Sequence, residues 1–148
     1  MPRTERTAEI EWEGNLARGH GELSAGSSGA FRLPFTLASR IGNPEGKTSP
    51  EELLAAAHGG CFTTSLAGEL TGLGHPPERL EVSCRIALDE VAANGHQIVG
   101  SEVTVRATVP GIDEATFSEA VRLADEGCPF ASMLRRSGAE VTVDASFT

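Results

Sequence analysis

The chain has 148 residues, of which 39% are apolar and 22% are charged, and its formal net charge is −9. This length and composition are typical of one soluble globular domain and exclude a disordered chain. The acidic charge argues against binding to nucleic acid or to an anionic membrane, and no apolar run approaches the ~20 residues of a membrane-spanning helix.

The N-terminal residues lack the apolar core of a signal peptide, so we expect a cytoplasmic protein. In that reducing compartment, three cysteines argue against a structural disulfide framework. They leave catalytic, redox, metal-binding or buried thiols as the alternatives.

Alternation of polar and apolar residues predicts short strands in the first part of the chain, followed by a loop rich in glycine and polar residues. The predicted strands cover residues 7–13, 16–23 and 30–37, and the loop covers residues 42–49.

A helix start is well marked after this loop. Ser49 can cap the helix, Pro50 suits its first position, and Glu52 completes a Ser-x-x-Glu capping box. The helix is predicted to continue to about Leu70, and because its faces are apolar or small almost all round, we expect a buried central helix. A Gly59-Gly60 pair in its interior predicts that a backbone or ligand comes close there.

The second half of the chain contains two longer strand patterns, two helices and a final strand. A turn over residues 92–95 joins the two long strands as a hairpin. The predicted ranges are 79–91 and 97–109 for the long strands, 113–126 and 129–136 for the helices, and 138–147 for the last strand. The order β-β-β-α-β-β-α-α-β predicts an α+β fold with antiparallel sheets.

Two of the three cysteines are candidates for chemistry. Cys61 lies in the middle of the apolar helix, where a free thiol is most often buried filler. Cys128 follows a glycine and precedes Pro129, so it should cap the next helix, where the helix dipole favours a thiolate. Together they suggest an attacking and a resolving thiol. Cys84 is in phase with apolar residues of one strand face and is interpreted as core.

The four histidines lie on separate elements, and there is no Cys-x-x-Cys pair, so the sequence predicts no metal site. His58 lies one helical turn before Cys61, which leaves a Cys-His pair for nucleophilic hydrolysis as an alternative. No orienting acid is evident for such a pair.

Two cysteine segments carry a resemblance to a known family. Ser49–Phe62 resembles the signature of the OsmC/Ohr family, the osmotically inducible and organic hydroperoxide resistance proteins, with Ser49 in place of an asparagine. Gly127–Ala131 resembles the family's Cys-Pro-x-Ser segment, with Ala131 in place of the serine. The resemblance extends over essentially the whole chain and includes Val109–Asp113, which favours the OsmC branch, and Trp12–Gly14.

The resemblance implies a thiol peroxidase that needs no metal, haem or other cofactor. Cys61 would attack the O–O bond of an organic hydroperoxide and become a sulfenic acid, and Cys128 would resolve it as a disulfide. A dithiol, which is of the lipoyl type in the Ohr branch, would reduce this disulfide and restore both thiols. The family also implies a homodimer.

The family activates its thiolate with an arginine and a glutamate. Glu51 matches the glutamate, whereas Arg18 matches the arginine of the Ohr branch and Arg40 matches one in the OsmC branch, so both are kept. A buried thiolate needs a nearby cation, and a carboxylate can orient that guanidinium. Apolar side chains should favour a bulky hydroperoxide; the candidates are Leu53, Phe62, Phe130 and Met133.

Glu51 and Cys61 are ten positions apart, which is ~15 Å along a straight helix and too far for one site. Either the helix breaks at Gly59-Gly60, or an arginine bridges the gap, or Glu51 completes the site of a second chain. Besides the peroxidase, a non-catalytic redox sensor or small-ligand binding protein of the same fold remains an alternative.

Overall fold

The computed structural model describes residues 2–148. Its ten elements are β1 (Ala8–Glu13), β2 (His20–Ala25), β3 (Arg32–Phe35), α1 (Leu37–Ile41), α2 (Pro50–Gly72), β4 (Arg79–Val91), β5 (Gly95–Thr108), α3 (Glu114–Glu126), α4 (Pro129–Arg136) and β6 (Glu140–Phe147). The chain divides into two compact units, with the boundary between Leu53 and Leu54. The α+β class is confirmed, with two small sheets and four helices.

The first unit contains an antiparallel sheet of β1, β2 and β3 in chain order. Trp12 and Phe35 pack over Gly21, with ring centroids 5.5 Å apart. A Cβ atom at Gly21 would lie 2.6 Å from the Phe35 ring and 2.8 Å from the Trp12 ring, so only glycine fits beneath them. This close approach fixes the register in which Gly21 pairs with both Trp12 and Phe35.

Two predictions for the first unit are corrected. The second strand begins at His20 and not at Leu16, because residues 14–19 form a turn. A five-residue helix, α1, follows β3 and was not predicted. Thr36 and Ser39 form a reciprocal capping box that stabilises it.

The second unit contains a mixed sheet in the order β4-β5-β6. The β4–β5 hairpin is antiparallel, with a bulge between Ala87 and Leu88. β5 and β6 run parallel, with Gly100 opposite Glu140, so the prediction of antiparallel sheets is wrong for this pair. The parallel pairing is possible because α3 and α4 form a long crossover between the two strands.

One face of this sheet and the helices of the second unit form its core. Alternate residues of β5 point inward, and every fourth residue of α2 is fully buried, as a half-buried strand and helix require. The core includes Phe62, Leu66, Leu70, Val103, Val105, Val109, Phe117, Ala120 and Ala124.

Helix α2 begins where the sequence predicts, but it is not buried all round. Ser49 caps it, because its hydroxyl accepts a hydrogen bond from the Glu52 N–H at 3.1 Å, whereas the Glu52 carboxylate accepts one from the Thr48 hydroxyl. The helix is continuous through Gly59 and Gly60. Only one face is buried. Small residues on the opposite face are exposed: Ala56, Gly60, Thr64 and Gly68.

None of the helices formed by residues 2–148 combines the length and the apolar character needed to cross a membrane.

Candidate active site

The middle of α2 presents the first thiol. Cys61 is half-buried and lies on the turn after His58. Gly59 lets α2 approach β4 closely, because a Cβ atom there would lie 3.3 Å from Cys84 Cβ. At Gly60 a Cβ atom would meet nothing within 4 Å, so the predicted close approach holds for the first glycine alone.

The second thiol lies at the corner between α3 and α4. Cys128 is the N-cap residue of α4, as predicted, and Pro129 follows at the first helical position. Its thiol caps no backbone N–H, and its side chain is fully buried. The Cys128 N–H donates to the Asp125 carbonyl at 3.3 Å, and its own carbonyl accepts from the Ser132 N–H at 3.1 Å. These bonds fix the backbone on both sides of the thiol.

The fold brings these two thiols together. Cys61 and Cys128 are both free thiols, and Cys128 belongs to the immediate surroundings of Cys61. Burial raises the pKa of Cys61, and the neighbouring Cys128 raises it further, while the Phe130 N–H and the Ser65 hydroxyl lower it. No arginine is among the groups that shift this pKa. A thiolate at Cys61 therefore needs a cation beyond its own immediate surroundings.

An ion pair joins α1 to the start of α2 within the first unit. Arg40 Nε donates to Glu51 Oε1 at 2.8 Å. The Glu51 side chain is only 13% exposed, and its second oxygen, Oε2, is buried without a hydrogen-bond partner among residues 2–148. The carboxylate thus has room to accept from a second donor.

Arg18 is placed differently. It lies in the turn before β2, where its N–H donates to Asn15 Oδ1 at 2.9 Å, and its side chain is exposed. The structure therefore brings Arg40, and not Arg18, to Glu51.

The four apolar candidates have different surroundings. Phe62 is fully buried in the core, Leu53 and Phe130 are half-buried, and Met133 is 51% exposed. Met133 lines a largely apolar cavity of about 450 Å³, together with Leu54, Gln97, Ile98, Leu134 and Ser137.

His58 does not pair with Cys61. It is fully buried, and its Nδ1 lies 2.6 Å from Ser101 Oγ and 3.7 Å from Cys84 Sγ. Sequence reasoning missed Ser101 as a polar partner. The signal was present, because Ser101 is in phase with Val103 and Val105 on the inward face of β5.

No set of three or more His, Cys, Asp or Glu side chains within residues 2–148 is arranged to hold a metal ion.

Comparison with known proteins identifies the family. Residues 42–144 match the family model of OsmC-like proteins. The chain is 34% identical over 139 residues to Peroxiredoxin OsmC of Escherichia coli, covering 94% of each sequence. The chain belongs to the OsmC family. Within it, this identity supports the OsmC branch, as the sequence segments predicted.

Solved structures share the fold of this OsmC family member. The organic hydroperoxide resistance protein OhrB of Bacillus subtilis superimposes with a TM-score of 0.70 at 20% identity, covering 95% of this chain and 98% of that one. An OsmC-like protein of unknown function from Vibrio cholerae gives 0.78 at 14% identity, covering 97% and 100%.

Proposed function

We propose that the chain is a thiol-dependent peroxidase that reduces organic hydroperoxides to alcohols. The observation that carries the proposal is the juxtaposition of two free thiols, one half-buried in α2 and one buried at the start of α4. It is supported by the similarity to a protein named peroxiredoxin and to organic hydroperoxide resistance proteins.

The proposed cycle has three steps. The Cys61 thiolate attacks one oxygen of the O–O bond; an S–O bond forms, the O–O bond breaks, and the leaving alkoxide takes a proton to become the alcohol. The Cys128 sulfur then attacks the Cys61 sulfenic acid, forming a disulfide as the hydroxyl leaves with a proton as water. A dithiol, such as a lipoyl group, supplies two electrons and two protons and restores both thiols. No bound cofactor takes part.

Arg40 is the proposed activating cation, held by Glu51. The pair already exists in the structure, at 2.8 Å. A guanidinium keeps its charge at any working pH, favours the Cys61 thiolate and meets the charge that develops on the leaving alkoxide. Arg18 is the second candidate, because Glu51 Oε2 has no hydrogen-bond partner among residues 2–148 and can accept from another arginine.

We propose a homodimer in which the exposed small face of α2 packs against a second copy. Gly60 and Gly68 leave open space on this face, because an added Cβ atom would meet nothing within 4 Å. Two helices can approach closely where both carry such small residues. Because α2 is unbroken, Glu51 and Cys61 of one helix are ~15 Å apart, so either Arg40 spans that gap or Glu51 serves the partner's Cys61.

The apolar cavity beside Met133 supports a bulky organic substrate. Its apolar lining side chains would leave water when they contact the alkyl group of an organic hydroperoxide, and this contact favours binding. Hydrogen peroxide has no alkyl group and would gain nothing from it. Comparable activity with both peroxides would contradict this part of the proposal. The cytoplasm, where dithiol reductants are kept reduced, is the proposed location.

The decisive experiment is steady-state reduction of an organic hydroperoxide with excess dithiol. We expect Cys61→Ser and Cys128→Ser each to abolish turnover, whereas the matched control Cys84→Ser cycles like the wild type. In a separate measurement without dithiol, Cys128→Ser should still consume one equivalent of hydroperoxide and accumulate a sulfenic acid that a dimedone adduct reveals.

A redox sensor is the second candidate, favoured by one observation. Cys61 and Cys128 are neighbouring free thiols, which a sensor would oxidise once to a disulfide that acts as the switch. A wild-type protein that consumes one equivalent of hydroperoxide and then stops, despite excess dithiol, would establish the sensor and overturn the peroxidase.

A further inference from the structure

A second polar cluster lies inside the second unit, next to the thiols but without a role in the proposed cycle. It contains His58 of α2, Ser101 of β5 and Cys84 of β4. His58 and Ser101 are fully buried and 2.6 Å apart, and Cys84 Sγ lies 3.4 Å from Ser101 Oγ. Polar side chains buried this deeply cost free energy unless every donor and acceptor is satisfied.

The cluster leaves one atom unsatisfied. His58 Nε2 is buried and has no hydrogen-bond partner among residues 2–148. Burial lowers the pKa of His58 and keeps the ring neutral, so one ring nitrogen donates and the other accepts. If the Cys84 thiol donates to Ser101 Oγ and the Ser101 hydroxyl donates to Nδ1, the remaining proton is on Nε2. That N–H then requires an acceptor.

Asp125 offers the complementary atom. Within the described part of the chain, its Oδ1 is also buried without a partner, whereas its Oδ2 accepts from Arg135 Nη2 at 2.6 Å. The charges of Asp125 on α3 and Arg135 on α4 act on His58 in opposite directions, the carboxylate raising its pKa and the guanidinium lowering it. The donor on α2 and the acceptor on α3 are therefore both buried without a partner among residues 2–148, and their helices pack in one core, because Phe62 and Ala124 belong to the same cluster.

Asp125 also contacts the residues around the second thiol, through its backbone and its side chain. Its carbonyl accepts the Cys128 N–H at 3.3 Å, and its side chain links α3 to Arg135 on α4, the helix that Cys128 caps. Arg135 Nη2 in turn reaches the Val141 carbonyl of β6 at 3.4 Å. Asp125 thus connects both helices that meet at Cys128.

We propose that His58 is a positioning residue for the resolving thiol: one buried water joins His58 Nε2 to Asp125 Oδ1 and so holds the α3–α4 corner with Cys128 facing Cys61. Internal waters occupy sites of this kind, between buried polar atoms that lack other partners. The proposal rests on the proposed peroxidase function, in which Cys128 resolves the Cys61 sulfenic acid.

The first test is independent of catalysis. ¹⁵N NMR of the histidine rings in the reduced wild-type protein, assigned with His58→Gln, reports which nitrogen of His58 carries the proton. We expect the Nε2–H form and a change in the Nε2 resonance in Asp125→Asn. A proton on Nδ1, or an Nε2 resonance that Asp125→Asn leaves unchanged, would overturn the link.

The second test separates positioning from folding. Glutamine places its amide nitrogen near the position of Nε2, whereas asparagine reaches only the position of Nδ1. We therefore expect His58→Asn to slow conversion of the sulfenic acid to the disulfide about tenfold, the loss expected for one buried hydrogen bond, with sulfenic acid formation unchanged. His58→Gln should restore resolution to within about twofold. Equal slowing by both variants would contradict the proposal.

Asp125→Asn should slow the same step, whereas the matched control Glu126→Gln, which removes a carboxylate paired with Arg122 on the same turn of α3, should not. If the wild type forms no sulfenic acid, the peroxidase proposal fails by itself. The rate at which oxidised glutathione forms the Cys61–Cys128 disulfide would then measure the same positioning, with the same variants and the same expected order.

Discussion

The two units of the chain bury apolar side chains very differently. In the second unit, Phe62, Leu66 and Leu70 are fully buried against the inward face of β5. In the first unit every residue of β1 is exposed, with Ile10 at 58% and Trp12 at 37%. The thiols therefore rest on a built core, whereas the Arg40–Glu51 pair belongs to a unit whose sheet exposes apolar side chains. Exposed apolar residues of this kind are typical of a surface that another protein surface covers.

The largest expected effect is on the core of the second unit. Phe62→Ala should lower the free energy of unfolding by about 3–5 kcal/mol, because it leaves a cavity, whereas Ile10→Ala in the first unit should change it by less than about 0.5 kcal/mol in the monomer. Urea unfolding followed by far-UV circular dichroism measures both. Equal losses would show that the first sheet is as well packed as the second.

The single tryptophan sharpens this comparison. The chain has one Trp and no Tyr, so intrinsic tryptophan fluorescence reports on Trp12 and the first unit alone. Circular dichroism of α2, α3 and α4 reports mainly on the second unit. Coincident transitions by the two methods would indicate that the two units unfold together.

The next effect tests which arginine of the first unit supplies the activating cation. Arg40→Met should slow alkylation of Cys61 by iodoacetamide at pH 7 on the order of 10²-fold. The reason is that the negative charge of the Cys61 thiolate loses the guanidinium that stabilises it. Burial raises the pKa of Cys61, so the rate should increase as the pH rises, and in Arg40→Met this increase should move to higher pH.

Arg32→Met is the matched control, since Arg32 forms a comparable ion pair with Glu22 in the same unit, at 2.6 Å. It should leave the pH profile unchanged. If Arg18→Met shifts the profile and Arg40→Met does not, the Ohr-type arginine is the activating group.

The smallest effect concerns the exposed face of α2. Gly60→Ala should stabilise an isolated monomer by about 1 kcal/mol, because alanine favours the helix and the added methyl group meets no atom. In the proposed dimer it should instead weaken association, which sedimentation at several concentrations would detect. Gly59→Ala is the comparison, since its methyl group would meet Cys84 at 3.3 Å in either state. An unchanged dimer in Gly60→Ala would place the interface elsewhere.

Local patterns predicted the elements that depend on local interactions. The bounds of β4 and α4 agree with the alternation and with the Cys-Pro helix start. α1 was missed because a five-residue helix contains too few residues for a period, and it depends on the Thr36–Ser39 capping box. The parallel pairing of β6 could not be inferred, because strand direction is decided by how the crossover packs.

The candidate site shows the same division. Each thiol could be found from its own segment, but their meeting depended on a family resemblance and then on the fold. The contact between His58 and Ser101 joins residues 43 positions apart, so no local pattern specifies it. The helical spacing on α2 instead suggested Cys61 as the partner of His58, whereas the actual partner, Ser101, lies on β5.

The parallel strand β6 also has a consequence for the order of events during synthesis. The hairpin of β4 and β5 can form as soon as Thr108 has left the ribosome, whereas β6, whose Phe147 packs against Phe117 of α3, docks beside β5 only after both helices have been made. A nascent chain therefore carries Cys61 before Cys128 has a fixed position. In the proposed cycle, Cys128 protects the Cys61 sulfenic acid by converting it to a disulfide, so we expect the nascent chain to be more open to overoxidation until β6 has docked.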